Sequence, residues 1–521
     1  MNPYHEGVDK SMPPHEERVR RASAAVFANA ATSGHADYPA FHLAPPSGWM
    51  NDPNGLIYYR GRYHVFYQHN PYSAAFGHIH WGHASSADLI HWEHHPVALA
   101  PGDPYDKDGC FSGCAVEHDG KLCLIYTGHS VRPDGSVREV QCLADSTDGI
   151  RFEKHGVVIA NPPPNATDDF RDPKVWREDG QWYLVVGYRQ KDAKGRGSGC
   201  IALYRSTDLH HWDFVKTLFR DSGLHVQGQK AYMLECPDFF PMDGAHALLS
   251  SPQGLEARGY HFRNVFQNGC VTGTWKNHSF SSQQAFYELD EGHDFYAAQS
   301  FLTPDGRRLL IAWFDMWESN KPTAVQGWAG MMTLPRELFM WDNRLCMRPA
   351  KEVARLRLKE KRHCTQEIVD RDFAVFNEPG SKNGLEILLE CDLRASNAAQ
   401  FGFRIKSPRD PASRISLYAD LQSRRFVIDR NNLAIHPRGI RSCPLPDSER
   451  LTLRAYIDHT SVEVFVGDGQ TEGCHSLSSR FYFDGMEKCI DFFTIEGGVR
   501  LERLSSWELE AVNYGQVTFK T

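Results

Sequence analysis

Three acidic residues stand at matching places in this sequence, and their settings point to cleavage chemistry by carboxyl groups. Asp52 lies in Gly48-Trp-Met-Asn-Asp-Pro-Asn-Gly55, Asp172 in Phe170-Arg-Asp-Pro-Lys174, and Glu235 in Leu234-Glu-Cys-Pro-Asp238. Asp52 precedes the turn glycine Gly61 by nine residues, Asp172 precedes Gly180 by eight, and Glu235 precedes Gly244 by nine. Carboxyl groups crowded into one pocket raise one another's proton affinity, so one is kept protonated as an acid while another stays ionised as a nucleophile. That is the equipment of glycoside cleavage, where two carboxyls flank the scissile bond and their separation decides the stereochemical course. Singly, each has a plainer use: an Asp before Pro caps a turn, and a buried Glu pairs with an arginine. Three acids in register weigh against that plainer use.

Residues this far apart meet only if the chain repeats. Ser86-Ala-Asp-Leu-Ile-His-Trp92, Ser146-Thr-Asp-Gly-Ile-Arg-Phe152 and Ser206-Thr-Asp-Leu-His-His-Trp212 recur every 60 residues. A second signal interleaves with the first: Arg60-Gly61, Asp119-Gly120, Asp179-Gly180, Asp243-Gly244 and Asp305-Gly306 each sit between strand-like runs, as hairpin turns do. One such period holds a four-stranded sheet with its turns, so five copies over residues 41–348 predict an all-β, five-bladed β-propeller catalytic domain. Equivalent positions then face a common axis. The corresponding places in the other two repeats hold Phe111-Ser112-Gly113 and Asp294-Phe-Tyr-Ala-Ala-Gln299. Residues 1–40 read as a partly helical N-terminal extension and 349–362 as an amphipathic linker helix. Residues 363–521, with alternating runs such as Leu385–Cys391 and Ser461–Val466, read as a C-terminal β-sandwich.

A chain of 521 residues exceeds one core of ordinary size, in keeping with two domains. With 57 basic against 65 acidic residues the net charge is −8, so nucleic acid is not an expected partner. No run approaches the ~18 apolar residues of a membrane span. Thirteen scattered cysteines suit a reducing compartment, and a cytoplasmic location is expected. Arg20-Arg21 precede an Ala-rich stretch broken by Asn29, which reads as a surface helix rather than an export signal. The histidines between His64 and His95 lack His-Glu-x-x-His spacing, so no metal site is expected there.

These residues carry a resemblance. Trp49-Met-Asn-Asp-Pro-Asn-Gly55, Phe170-Arg-Asp-Pro173 and Glu235-Cys-Pro-Asp238 are similar, in that order, to three signature motifs of glycoside hydrolase family 32. Tyr67-Gln68-His-Asn-Pro71, Phe111-Ser-Gly113, Leu289–Tyr296, Ile311-Ala-Trp313 and Gly327-Trp-Ala-Gly330 extend it over the whole propeller, and Ile457–Phe465 resembles the family's β-sandwich. Its members that cleave sucrose and sucrose-6-phosphate in bacteria look nearest. The resemblance implies a β-fructofuranosidase working by retaining double displacement, with Asp52 as nucleophile, Glu235 as acid/base and Asp172 as transition-state stabiliser. Asn51, Gln68, Ser112 and Trp313 match positions that line the fructose subsite, and Trp49, Met50, Phe76, Phe111, Arg171 and Cys236 are expected to bind substrate beside them. A small sugar is the implied partner, with no metal and no organic cofactor; the oligomeric state is left open. Phe76 and Leu234 depart from the family pattern, which commonly has tryptophan at both, and this bears on substrate range more than on reaction type. The alternatives are a fructosyltransferase, a short-fructan exo-hydrolase or, in another class, a non-catalytic sugar-binding propeller.

Overall fold

The structure is a computed structural model that describes residues 13–31, 37–191, 197–226, 229–378, 381, 383–434, 437–470, 472–483 and 487–513. Residues 1–12 and 32–36 of the expected N-terminal extension, and 514–521 of the expected sandwich domain, lie outside these.

Among the described residues, five sheets form before residue 350 and two after it. The first and second strands of successive sheets are joined by tight turns with positive φ at both central residues: Arg60 47° and Gly61 83°, Asp119 50° and Gly120 76°, Asp179 49° and Gly180 79°, Asp243 46° and Gly244 81°. That geometry matches the twist of the flanking strands, and glycine takes it without steric cost. The Ser-x-Asp repeat also has a structural meaning. Ser86, Ser146 and Ser206 end the third strands of the first three sheets, and each Oγ donates to the Asp two residues on. Those carboxylates then accept the N–H groups of the next turn, as Asp88 does from Ile90 and His91.

Apolar clusters join each sheet to the next. Phe66 packs with Leu124, Ile125 with Leu184, Leu203 with Leu248, Leu249 with Leu310, and Leu309 with Val65, which returns to the first sheet. The ring is latched by backbone as well, since Trp328–Ala329 pairs in parallel with Gly48 and Trp49. The result is a propeller-like ring.

The two later sheets, each six-stranded, enclose a separate core and form a β-sandwich. The expected linker helix is a six-residue 3-10 helix, Lys351–Leu356; from Arg357 the chain is a strand, Arg357–Val369, paired with Val499–Leu509. Apolar residues cover little more than that helix, and strand pairing satisfies the following backbone instead. The helix His15–Ala30 buries Ala22 and Val26 against Val97, and Arg18 binds Asp103.

A buried ionic network ties the domains together. His42 sits between Asp458 (2.7 Å) and Glu463 (2.8 Å), while Arg336 binds Glu463 (2.6 Å) and Asp290 (2.8 Å). Burial opposes charge on His42, but the two carboxylates outweigh it and raise its pKa.

Candidate active site

The first strand of every sheet in the ring brings a polar residue to one place. These strands are Gly48–Tyr59, Gly109–His118, Ala166–Glu178, Met233–Met242 and Tyr296–Leu302, and they carry Asp52, Ser112, Asp172, Glu235 and Tyr296. Each strand breaks register there: between Met50 and Pro53, Phe111 and Gly113, Arg171 and Lys174, Glu235 and Asp238, and Tyr296 and Gln299. A bulge turns side chains out of the alternating pattern, and Asp172 (φ 70°), Cys236 (φ 48°) and Ala297 (φ 54°) adopt the left-handed backbone it needs. Pro53, Pro173 and Pro237 fit such breaks, because proline has no N–H to give to a ladder.

Asp52 accepts hydrogen bonds from Asn51 Nδ2 at 3.0 Å and Ser112 Oγ at 2.8 Å. Asn51 is in turn oriented by Trp49, whose indole N–H donates to Asn51 Oδ1 at 2.7 Å. Burial, seconded by the charge of Glu235, pushes the Asp52 carboxyl up to about 6, while Asn51 and Ser112 pull it back. Asp172 Oδ2 accepts the backbone N–H of Cys236 at 2.9 Å, and its own N–H donates to Thr127 Oγ1 at 3.0 Å. Burial, again with Glu235, pushes Asp172 up to about 8 against the pull of Arg171. Burial and the neighbouring charge thus both favour the protonated form of these two aspartates. The Cys236 thiol bridges the two aspartates, 3.8 Å from Asp52 Oδ2 and 3.7 Å from Asp172 Oδ2, and burial keeps it protonated.

Glu235 is held on both oxygens. Arg171 Nε (2.9 Å) and Nη2 (2.8 Å) donate to Oε1, while Tyr296 OH (2.6 Å) and Gln253 Nε2 (2.7 Å) donate to Oε2. Arg171 is itself anchored by Glu139, 3.2 Å from Nη1, which also accepts the Phe170 N–H at 2.7 Å. Two ionisable oxygens on different sheets, each with its own donors, can serve as nucleophile and as acid.

An aromatic wall stands beside them. Trp317 stacks on Trp49 with ring centres 6.1 Å apart, and Phe76 meets both rings edge-on, at 5.2 Å from Trp317 and 6.3 Å from Trp49. Phe76 is half exposed and forms the rim; Trp317 supplies an indole there although Phe76 does not.

Of the residues expected at the site, Asp52, Asp172, Glu235, Asn51, Ser112, Arg171, Trp49, Phe76 and Cys236 converge. Phe111 stacks flat on His129 at 4.1 Å beside them, and Gln68 donates to the Cys110 carbonyl at 3.1 Å, bracing the first sheet against the second. Two do not face the pocket. Met50 follows the strand's alternation to the opposite side and is buried with Val65, Phe301 and Ile311 between the first and fifth sheets. Trp313 is fully buried behind Trp49 and Trp317, so it supports the wall and presents no open ring. Leu234 is also fully buried, in the core between the third and fourth sheets.

Gln253, Trp317, Glu139 and Thr127 are site residues that sequence reasoning missed. Tyr296 lies in the segment whose register already places it on this face, but nothing local signals its bond to Glu235. One group among the described residues has donor atoms close enough for a metal, Glu291, Cys443 and His475; it lies between the domains, away from these carboxyls, and the cation Arg344 stands 3.8 Å from Glu291. A cavity of about 1140 Å³ opens between the N-terminal helix and the second sheet, near Val19, Phe27, Tyr105 and Val157, and contains none of the three acids.

Comparison with known proteins gives one answer at three levels. The model of the glycosyl hydrolases family 32 N-terminal domain matches residues 42–349, and that of the family's C-terminal domain matches residues 352–508. The chain is similar to a sucrose-6-phosphate hydrolase of Zymomonas mobilis, with 48% identity over 479 residues, 91% of this chain and 93% of that protein. It is also similar to a raffinose invertase of Escherichia coli, 46% identical over 499 residues, covering 95% of this chain and 100% of the other. Among solved structures, a β-fructofuranosidase of Bombyx mori superposes with a TM-score of 0.83 at 33% identity, covering 98% of this chain and 100% of that one. A variant of that enzyme solved in complex with sucrose gives 0.82 at 32% identity over the same shares of the two chains.

Proposed function

This chain belongs to glycosyl hydrolase family 32, and on that premise we propose that Asp52 attacks the anomeric carbon of a β-fructofuranosyl unit while Glu235 protonates the departing oxygen. The activity is that of a β-fructofuranosidase: the fructosyl bond of sucrose or sucrose-6-phosphate is hydrolysed, releasing fructose with glucose or glucose-6-phosphate.

Attack by an Asp52 oxygen forms a fructosyl ester as the bond to the leaving oxygen breaks, and the Glu235 proton passes to that oxygen. Glu235, now ionised, takes a proton from water as the water attacks the same carbon and releases Asp52. Two displacements retain the anomeric configuration. Asp172 accepts hydrogen bonds from fructosyl hydroxyls that strengthen as positive charge grows on the ring. Asn51, Ser112 and Cys236 hold the two aspartates in place, and Trp49, Trp317 and Phe76 offer apolar surface to the faces of the sugars. The observation that carries this reading is the separate bracing of Asp52 and Glu235 on the first and fourth sheets, one by neutral donors and the other by Arg171 and Tyr296.

A cytoplasmic location goes with this reading. All thirteen cysteines are unpaired, twelve of them buried, as suits a chain that meets a reducing medium.

The test is release of glucose and fructose from sucrose by the wild type beside Asp52→Ala and Glu235→Ala. Loss of at least about a thousandfold in kcat by both folded variants is expected, in the range of a missing nucleophile or general acid. A wild type inert on sucrose, its 6-phosphate and short fructans would leave the sugar-binding propeller as the better reading.

A further inference from the structure

We propose that Arg430, in the sandwich domain, is a positioning residue for Glu235, acting through Asp294 and Tyr296. This rests on the reading of Glu235 as the acid/base.

The segment just before the fifth sheet is laid along a sandwich strand, His475–Arg480, as if it were one more strand. Glu291 N–H donates to the Ser476 carbonyl at 2.8 Å, and those of His293 and Asp294 donate to the Ser478 carbonyl at 2.8 and 3.0 Å. Gly292 makes this approach possible: a Cβ there would stand 2.1 Å from Ser478 N and 2.2 Å from its O. The segment ends on a buried charge. Asp294 Oδ2 accepts from Arg430 Nη1 at 2.6 Å and from the Arg480 N–H at 2.8 Å, and its Oδ1 accepts from Ser319 Oγ at 2.8 Å. Arg430 also donates to the Arg480 carbonyl at 3.2 Å, and the guanidinium and carboxylate are 2% and 0% exposed.

Two residues past Asp294 comes Tyr296, whose hydroxyl donates to Glu235 Oε2 at 2.6 Å. One carboxylate therefore anchors the segment that carries the hydroxyl orienting the acid, and its charge balance comes from the other domain. A buried carboxylate deprived of its cation moves or takes up a proton, and either change shifts the anchor point only two residues from Tyr296. The backbone between them has little slack, because Tyr296 opens a bulge with Ala297 in the left-handed region at φ 54°. Displacement of a catalytic group by about 1 Å costs on the order of a hundredfold in rate, so a partial loosening is enough to register.

The experiment is steady-state hydrolysis of sucrose by the full chain, with Arg430→Met, Tyr296→Phe, the two combined, Arg430→Lys, and Glu235→Gln as control. Arg430→Met is expected to lower kcat about tenfold with KM changed less than about threefold. Combined with Tyr296→Phe it loses no more than Tyr296→Phe alone, because both act on one bond, and Arg430→Lys recovers most of the rate. The proposal is overturned if Arg430→Met or Tyr296→Phe keeps wild-type kcat, or if their losses multiply in the combined variant. Should Arg430→Met fail to fold, Arg430→Met with Asp294→Asn removes both charges together; lowered kcat then supports the proposal and full kcat overturns it. Glu235→Gln separates the premise from the proposal: wild-type activity there removes Glu235 as the acid, whatever Arg430 does.

Discussion

Ser112 Oγ donates to Asp52 Oδ2 at 2.8 Å, a bond that joins the first and second sheets at a buried carboxyl. Burial raises Asp52 to about 6 and this bond restrains it. With Asp52 as the proposed nucleophile, which must be ionised to attack, the wild-type kcat/KM is expected to fall as pH drops through about 6. In Ser112→Ala the restraint goes, the carboxyl rises further, and the acidic limb moves to higher pH. A hydrogen bond to a charged group contributes about 1.5–3 kcal/mol, equivalent to about one to two pH units. A limb that stays in place in the pH profile of the variant would remove Asp52 as the group it reports.

Arg171 makes two bonds to one oxygen of Glu235 and a third to Glu139. Lysine keeps the charge but lacks the planar fork that serves both carboxylates. Arg171→Lys is expected to lower kcat/KM on sucrose at least about tenfold, the cost of a lost bond of about 1.4 kcal/mol or more in the transition state, while the protein stays folded by circular dichroism. Unchanged kcat/KM would show that the fork has no part in turnover.

Gly187, paired with Arg171, faces the neighbouring sheet so closely that a Cβ would stand 2.3 Å from the Leu234 carbonyl oxygen. Backbone cannot yield as a side-chain tip can. Gly187→Ala is therefore expected to cost about 1–3 kcal/mol of stability, as overpacking does, and to disturb Glu235, the next residue after Leu234. Urea unfolding read beside kcat tests both effects, and a variant unchanged in either would mean that the two sheets have slack the packing does not suggest.

Several histidines of the first sheet are buried and neutral. Burial depresses His64 and His69 to about 4, and His80 and His94 to about 3. Above the ordinary histidine value of about 6.5 both folded and unfolded forms are neutral, and their contribution to stability is intact. As pH falls from there towards 4 and 3 the unfolded chain gains protons that the folded chain refuses, so stability is lost across that window. At about 1.4 kcal/mol per pH unit between the two values, each site removes on the order of 3–5 kcal/mol across its full window. His42 has the opposite sign: its pKa is raised between Asp458 and Glu463, so its contribution is full below about 6.5 and fades as pH rises through its folded value. Melting temperatures measured from pH 7 to pH 4 should fall steadily, and a flat curve would contradict the buried neutral histidines.

Much of the ring was legible because its signals are local. A two-residue turn with positive φ demands glycine, as at Gly61, Gly120, Gly180 and Gly244, and the Ser-x-Asp turn demands a hydroxyl and a carboxylate two residues apart. Counting back from those turns puts Asp52, Asp172 and Glu235 on equivalent strands. The bulges fall at Asp52-Pro53, Asp172-Pro173 and Cys236-Pro237, prolines that by sequence read only as turn-capping positions. Motif membership groups Met50 with Asn51 and Asp52, but side chains alternate across a strand, and Met50, just ahead of the register break, falls on the core side. The linker helix is shorter than its expected 349–362, since a brief apolar periodicity near Val353 cannot outweigh pairing with the strand Val499–Leu509.

Sequence by itself determined the period, the turns, the positions of the three acids and, through its motifs, the family, because each depends on residue type at short range. Only the tertiary structure decided which oxygen meets which donor. Tyr296 on Glu235, Ser112 on Asp52 and Arg430 on Asp294 join residues 61, 60 and 136 positions apart. Their encounter depends on closure of the ring and on how the sandwich seats against it. Hydrogen bonds act over about 3 Å, and no local pattern encodes a separation set by the packing of whole sheets.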